Sequence, residues 1–415
     1  MKHFLVVQLA RFGDVVQTGR LLMTLCARGA TYLCVDRSLV PLAEMLYPAV
    51  QVYGLHVHGR PDGAGFVHNV DVMARLRGIP FDGVYALNFS PLSDALVRLF
   101  PPEIVHGHRV ERGQPLREAW TELGFRLAGE RRAAPLNLVD FWAHLASSPL
   151  PPAQVNPPAR AGGAGVGVVL AGRESRRSLP MDVLAPLAQT AFEATGGTTL
   201  VLLGSAAEKG AARQLRRLFP AKLDAHIRDL SGKTDWRGLA DALHGLDAVL
   251  TPDTGTLHLA ARLGVPVRAF FLSSAWCHET GPYGVGHHIW QTAFPCAPCL
   301  ESAACPRDVA CLSAFTSAEL RRSLALSLLK PEGENEQLPA GLCRWRTAAD
   351  ALGTLCQPAA GGDDRAEERA AARALLAELR GLSLPCAPDA ARMGAAARRL
   401  LTERDWMLEG GFAHV

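Results

Sequence analysis

The chain has 415 residues, of which 48% are hydrophobic and 7% aromatic, and its 43 Lys and Arg against 40 Asp and Glu leave a formal charge of +3. That length and apolar content suit two buried cores with a remainder, not one domain. So small a charge, with no basic run, argues against nucleic-acid binding, and no stretch approaches the ~20 apolar residues that a membrane span needs.

The chain opens on an apolar run, Phe4 to Leu9, followed by Ala10-Arg11-Phe12-Gly13-Asp14-Val15. Arg11 and Asp14 interrupt the apolar character, so this start reads as a first strand and not as a signal peptide, and a cytoplasmic protein is expected. There most of the ten cysteines would be free thiols. Gly13 permits a sharp turn, and Asp14 opens a helix that carries Val15, Leu21, Leu22 and Leu25. Further strands are predicted at Ala30–Val35, Val84–Leu87 and near Ile104–His106, alternating with helical patterns as in a doubly wound α/β domain over residues 1–150. Tyr53 to Gly65, rich in Gly and His, reads as a loop near the cleft. Residues 151–165, a Pro, Ala and Gly stretch with little to pack, read as the linker.

A second α/β unit is predicted over residues 166–330. Its strands are Val166–Leu170, Thr199–Leu203, Ala248–Leu250 and Val267–Phe271, and its helices lie around Val183–Ala194, after Ser205, and at about Trp236–His244. Residues 331–415 change in composition, and Arg365–Arg380 has a helical pattern. They read as a helical extension packed outside or across the two units.

The segment Leu246 to Pro266 carries the most chemistry. A short apolar run leads into Thr251-Pro252-Asp253-Thr254-Gly255, and then Leu257, Ala260, Ala261 and Leu263 repeat with helical period. This is strand, tight loop and helix. Thr254, Gly255 and Thr256 fall where a new helix has unpaired N–H groups and the positive end of its dipole, a natural anion site. Gly255 removes the Cβ that would hold a phosphate away from the backbone. The competing reading is that Asp253 or Thr254 only caps the helix. Ligands of open α/β sheets bind beyond the carboxyl ends of the strands, and the Arg11–Asp14 loop leaves its strand at such an edge too. A carboxylate in one lobe and a phosphate-type helix start in the other is the layout of a two-lobed transferase.

With these residues in view, the chain resembles glycosyltransferase family 9, the family of the ADP-heptose:lipopolysaccharide heptosyltransferases. The resemblance rests on Arg11-Phe12-Gly13-Asp14-Val15, on Asp253-Thr254-Gly255-Thr256-Leu257-His258 with Leu263 to Pro266, on Gly281-Pro282-Tyr283-Gly284, and on the cysteine-flanked segment that follows. It covers roughly residues 1–330 in the family's order. It implies the GT-B architecture, two Rossmann-like domains facing each other across a cleft. It also implies inverting, metal-independent transfer of a sugar, heptose from ADP-heptose above all, to a lipid-linked saccharide at the inner membrane, where contact would be peripheral.

The resemblance also assigns roles. Asp14 is the expected base that takes the acceptor's proton, flanked by Arg11 and Gly13 on the acceptor side. An N-cap role for Asp14 is the alternative. A carboxylate at a helix start is stabilised as an anion, so its pKa is expected to be lowered. In the loop Gly172 to Pro180, Arg173 and Arg177 are donor-phosphate candidates, with Arg177 in the place of a family Lys, and Arg176 reads as a solvated charge. Glu208 would accept from the donor ribose, unless it is only an acid in a first helical turn. Thr234 would lie by the nucleobase. Asp253, Thr254, Gly255, Thr256 and His258 would complete the donor site. Helix N–H groups and cationic side chains can stabilise a leaving diphosphate without a metal.

Cys296, Cys299, Cys305 and Cys311 have the spacing C-x2-C-x5-C-x5-C. Zinc or an iron–sulfur cluster is one reading and free thiols are the other. Cys26, Cys34 and Cys277 read as core residues. Two further functions compete with transfer: a catalytically idle sugar-nucleotide binder, and another GT-B enzyme such as a sugar-nucleotide epimerase. The second would need additional acid and base groups around the cleft.

Overall fold

The structure, a computed structural model, describes the chain except residues 60–61, 112–113, 172–174, 301, 331–336, 386–387 and 402–415. Two sheets organise it. The first contains β1 (Lys2–Gln8), β2 (Gly29–Asp36), β3 (Gln51–Leu55), β4 (Gly83–Ala86), β5 (Val105–Glu111) and β6 (Gln114–Arg117), in the order β3-β2-β1-β4-β5-β6. All neighbours are parallel except β5 and β6. The second contains β7 (Val166–Val169), β8 (Leu200–Leu203), β9 (Ile227–Asp229), β10 (Ala248–Thr251), β11 (Val267–Phe271), β12 (His288–Thr292), β13 (Leu342–Ala349) and β14 (Thr354–Ala360). Its order is β14-β13-β12-β11-β10-β7-β8-β9. From β12 to β9 it is parallel, and β13 and β14 add antiparallel at one edge. The α/β fold expected from the alternating pattern is the one observed.

The central strands are almost wholly apolar because helices cover both of their faces. In β1, Phe4 and Val6 point into one core while Leu5 and Val7 point into the other. In β10, Leu250 and Val249 divide in the same way between the two cores of the second lobe. This is the two-residue alternation of a strand buried on both sides. Strand order reverses at β1 in the first sheet and at β7 and β10 in the second, so the loops after these strands diverge and leave a crevice at the carboxyl edge.

Four expectations need correction. Tyr53 to Leu55 is not loop but the end of edge strand β3, and a helix begins at Gly63. Tyr53, Leu55 and Val57 do alternate with Gly54, His56 and His58, but the Gly and His content favoured a loop reading. The linker is packed after all. Ala159 N–H donates to Val285 O, Arg160 N–H to Gly264 O and Ala164 N–H to Gly245 O, so its backbone is laid along the second lobe. The extension is not helical throughout, since β13 and β14 form a hairpin that widens the second sheet. Its helices Ala366–Leu379 and Ala390–Leu401 then return to the first lobe, where Ala371, Leu375, Leu376, Ala396 and Leu400 join the core of Val6 and Leu22. Arg176, expected to be solvated, donates to Leu300 O at 2.8 Å and also to Ala303 O, and so grips the cysteine-rich loop.

The extension closes a three-way junction. Asp140 of the first lobe is fully buried and accepts from Arg20 Nη1 at 2.5 Å, from Tyr283 Oη of the second lobe at 2.7 Å, and from Thr354 N–H of the hairpin at 2.8 Å. Gly353 is required beside it, because a Cβ there would fall on the Asp140 carboxylate. A second seam lies nearer the cleft. Arg131 of the first lobe makes a two-pronged bond to Glu279 of the second, Nε to Oε1 at 2.9 Å and Nη2 to Oε2 at 2.7 Å. Its other N–H groups reach Cys299 O and Ser274 O.

Candidate functional site

The crevice between the lobes is a cavity of about 850 Å³, within the usual range for small-molecule sites. Arg11, Phe12, Gly13, Asp14 and Gln17 line it from the first lobe. Arg177, Glu208, Thr234, Asp253, Thr254, Gly255, Thr256, His258 and Thr280 line it from the second. Every expected site residue therefore borders one cavity except Arg173, which lies outside the described residues.

Asp14 is the third residue of the helix Phe12–Gln17, and its Oδ2 accepts from the Arg11 N–H at 3.0 Å. The N-cap is Arg11 and not Asp14; Asp14 bonds back to the N-cap from the first turn and lines the cleft as well. The expected lowering of its pKa is overturned. Burial pushes the carboxyl above its ordinary value, the nearby Asp253 adds to this, and His258 and the helix-start N–H only partly oppose it. The helix is only six residues long and the half-buried Asp14 packs against the second lobe, so loss of water outweighs the dipole.

Across the cleft, Thr254 caps the helix Gly255–Arg262, its hydroxyl accepting from Leu257 N–H at 3.4 Å. The capping reading holds for Thr254, and the same turn places the start of the helix in the cavity wall. Gly255 has a reason within the protein beside the expected one. A Cβ there would drive into the ring of Phe12, 2.6 Å from Cγ and 2.7 Å from Cε1. Glycine is needed because the two lobes touch at this point. Phe12 is held from its other side by Trp236, at a centroid distance of 4.8 Å.

Asp253 gathers the polar groups of the second lobe. Its Oδ2 accepts from Arg177 Nη2 and from Thr280 Oγ1, the latter at 2.8 Å. Its Oδ1 lies 3.9 Å from Nε2 of the buried His258. Desolvation holds His258 below the ordinary imidazole pKa, with Asp253 and Asp14 pulling the other way. A Cβ on Gly13 would meet the His258 ring at 3.1 Å, so the imidazole sits directly under the Asp14 loop. Glu208 accepts from Ser205 N–H at 2.6 Å in a capping box. The first-turn role weighed for it is therefore present, alongside its place in the cavity wall. Thr234 lies at the foot of the helix Trp236–Leu243.

Gln17, Trp236 and Thr280 also line the cavity, and the motif reading did not single them out. Gln17 lies four residues, one helical turn, beyond Gly13, and Thr280 directly precedes the Gly281-Pro282-Tyr283-Gly284 turn, so sequence position offered a signal for both. Trp236 offered none beyond its place at a helix start.

The four later cysteines come near one another, from exposed Cys296 to buried Cys311. Cys305 is held below the usual thiol range by the N–H groups of Arg307 and Val309, whereas burial and the neighbouring thiols push Cys299 and Cys311 up. Among the described residues they do not form a group with ligand atoms within 4.8 Å of one another.

Residues 166–307 match the profile of glycosyltransferase family 9 (heptosyltransferase). Over 77 residues the chain is 31% identical to lipooligosaccharide heptosyltransferase 2 of Haemophilus influenzae, covering 19% of this chain and 22% of that protein. The similarity thus spans about a fifth of that relative's length. In fold, the chain is similar to the Escherichia coli ADP-heptose lps heptosyltransferase II, with a TM-score of 0.51, 19% identity, and coverage of 76% of this chain and 98% of that one. It is similar also to a family 9 glycosyltransferase of Veillonella parvula, with a TM-score of 0.59, 16% identity, and coverage of 79% and 97%. A third similar structure is the E. coli heptosyltransferase WaaC with ADP, with a TM-score of 0.51, 19% identity, and coverage of 68% and 91%. The family resemblance drawn from the sequence motifs and the shared fold therefore agree. Among the described residues no helix is long and apolar enough to cross a membrane.

Proposed function

We propose that the chain is an inverting glycosyltransferase that moves a sugar, heptose from ADP-heptose, onto a lipid-linked saccharide without a catalytic metal. One observation carries this reading: Asp14 of the first lobe and the start of the helix Gly255–Arg262 of the second border the same cavity. The acceptor hydroxyl must lose a proton as it attacks, and the diphosphate must leave with its charge stabilised. A carboxylate on one wall serves the first need. Helix-start N–H groups and Arg177, from the other lobe, serve the second. In this reading the acceptor hydroxyl displaces the diphosphate in a single step, with inversion.

Glu208 would hold the ribose hydroxyls, Thr234 would border the base, and His258, neutral near pH 7, would contact the sugar or phosphate. Arg173, with its Arg177 neighbour, belongs to the donor-phosphate loop in this reading. The raised pKa of Asp14 favours the role assigned to it, since a base works best when its pKa lies nearer the operating pH. Donor selection in the second lobe, acceptor binding in the first, and a cytoplasmic site at the inner membrane complete the proposal.

The test is Asp14→Asn, which keeps size and the Arg11 N–H contact but removes the base. Transfer from ADP-heptose should be lost while ADP affinity, measured by calorimetry, stays within a few-fold of wild type. Near-normal turnover would remove Asp14 from the mechanism, and loss of ADP binding would make it a donor-site residue instead.

A further inference from the structure

The short helix Cys277–Thr280 faces two ways. Glu279 and Thr280 turn to the seam and the cleft, where they meet Arg131 and Asp253. Cys277 and His278 turn inward to the extension hairpin. There Cys277 Sγ, a ring nitrogen of His278 and Cys356 Sγ of β14 lie within 4.8 Å of one another. Among the described residues this is the only group of three or more Cys, His, Asp or Glu so closely set.

Three further observations single the cluster out. Cys277 and His278 are buried and Cys356 is half-buried. The His278 ring is fixed edge-on against Trp345 at a centroid distance of 4.7 Å and flanked by Trp276 at 5.6 Å. Its Nε2 is buried with no hydrogen-bond partner among the described residues, so a ring nitrogen is left open to a ligand. The charge environment fits too. The nearby guanidiniums of Arg369 and Arg373 are each paired, with Asp363 and Asp350, and so add little net charge.

We propose that Cys277, His278 and Cys356 bind a thiophilic divalent ion of the zinc class. Binding would displace the two thiol protons, so that M2+ and two thiols give a bis-thiolate complex and two H+. With a neutral imidazole the complex carries no net charge, the form that costs least in a buried place. Bonds of ~2.3 Å to sulfur and ~2.0 Å to nitrogen set the ligand atoms roughly 3.5 to 3.8 Å apart, so side-chain rotations that draw the cluster in by about an ångström suffice. The half-buried Cys356 marks the side on which a water completes the tetrahedron. The ion would pin the hairpin to the helix that presents Glu279 and Thr280, and so give the extension a part in holding the cleft wall.

The full-length protein, purified without chelator, should contain a single zinc ion per chain that survives the double change Cys296→Ser/Cys299→Ser and is lost with Cys356→Ser. After chelation, cobalt added to the wild type should give thiolate-to-cobalt absorbance and tetrahedral d–d bands, and neither should appear in Cys356→Ser. Chelation should lower Tm in the wild type and leave Tm of Cys356→Ser unmoved. His278→Gln, which spares both thiols, should weaken cobalt binding and shift the bands. Absence of the ion and of cobalt absorbance, retention of both in Cys356→Ser, or a Cys277–Cys356 disulfide in peptides mapped without reductant would each overturn the proposal.

Discussion

The contact between Gly255 and Phe12 supports a prediction that separates two explanations of the same glycine. In Gly255→Ala the new methyl would sit 2.6 Å from Phe12 Cγ and 2.7 Å from Cε1, against a normal carbon–carbon separation of about 3.5 to 4.0 Å. Cδ1 would lie closer still, so relief requires the ring to turn or the lobes to part by well over an ångström, and Trp236 already packs on that ring at 4.8 Å. Overpacking of this kind costs about 1 to 3 kcal/mol. If the closed lobes are the reactive form, kcat/KM should fall by roughly 5- to 150-fold, because each 1.36 kcal/mol is tenfold. The partner change Phe12→Leu removes the obstructing ring, so Gly255→Ala/Phe12→Leu should recover most of the loss. A double-mutant cycle in kcat/KM, with ADP affinity measured alongside, reads the coupling directly. A loss that Phe12→Leu leaves untouched, accompanied by an equal loss of ADP affinity, would refute the lobe contact and restore close phosphate approach as the reason for Gly255.

Three shorter predictions follow from the same geometry. Because burial raises the Asp14 pKa, and the base must be ionised, activity should be lost as pH falls through a value above the ordinary ~3.9 of Asp. The acid limb of the kcat/KM profile locates it, and a limb at or below that value would contradict the desolvation argument. Arg177→Ala should weaken ADP binding about tenfold or more by calorimetry, since charge-assisted bonds contribute ~1.5 to 3 kcal/mol, and Arg177→Lys should recover only part of it. Unchanged affinity in Arg177→Ala would remove it from the phosphate site. Arg20→Met leaves the fully buried Asp140 without its cation, which should cost about 3 to 5 kcal/mol. A urea midpoint within error of wild type would show that Tyr283 and Thr354 suffice.

Much of the α/β scaffold was legible because buried parallel strands are short apolar runs between turn residues, and Val267–Phe271 was read to the residue. The site was legible for a related reason. Gly13, Asp14, Thr254, Gly255 and His258 lie at the helix starts that follow central strands, where topology concentrates ligands. What escaped was whatever depends on a partner distant in sequence. β9 has three residues of half-exposed character, Ile227–Asp229, and becomes a strand only by pairing with β8. β13 does alternate, Cys343-Arg344-Trp345-Arg346, but it follows a polar segment, and β14 contains Pro358; the two are strands because β12 offers an edge. The Asp14 pKa was misread because helix position is local, whereas burial comes from the opposite lobe. Cys356 carried no signal, since its neighbours Cys277 and His278 are brought to it only by the hairpin.

The cleft is also economical in charge. Asp14, His258, Asp253 and Arg177 form a continuous series from one lobe to the other. Arg177 is already oriented by Asp253, so an arriving diphosphate meets a guanidinium whose rotamers are restricted beforehand, and less entropy is lost in gripping it. The pairing also offsets part of the Asp253 charge, which would otherwise repel the donor more strongly. Asp14 is then the carboxylate of this series without a paired cation, and both burial and Asp253 disfavour its ionised form. Those same two effects make it a stronger proton acceptor than a solvated aspartate. The features that cost the resting cleft some stability are thus the features that suit Asp14 to the proton transfer proposed for it, and the buried junction around Asp140 holds the lobes together while they do so.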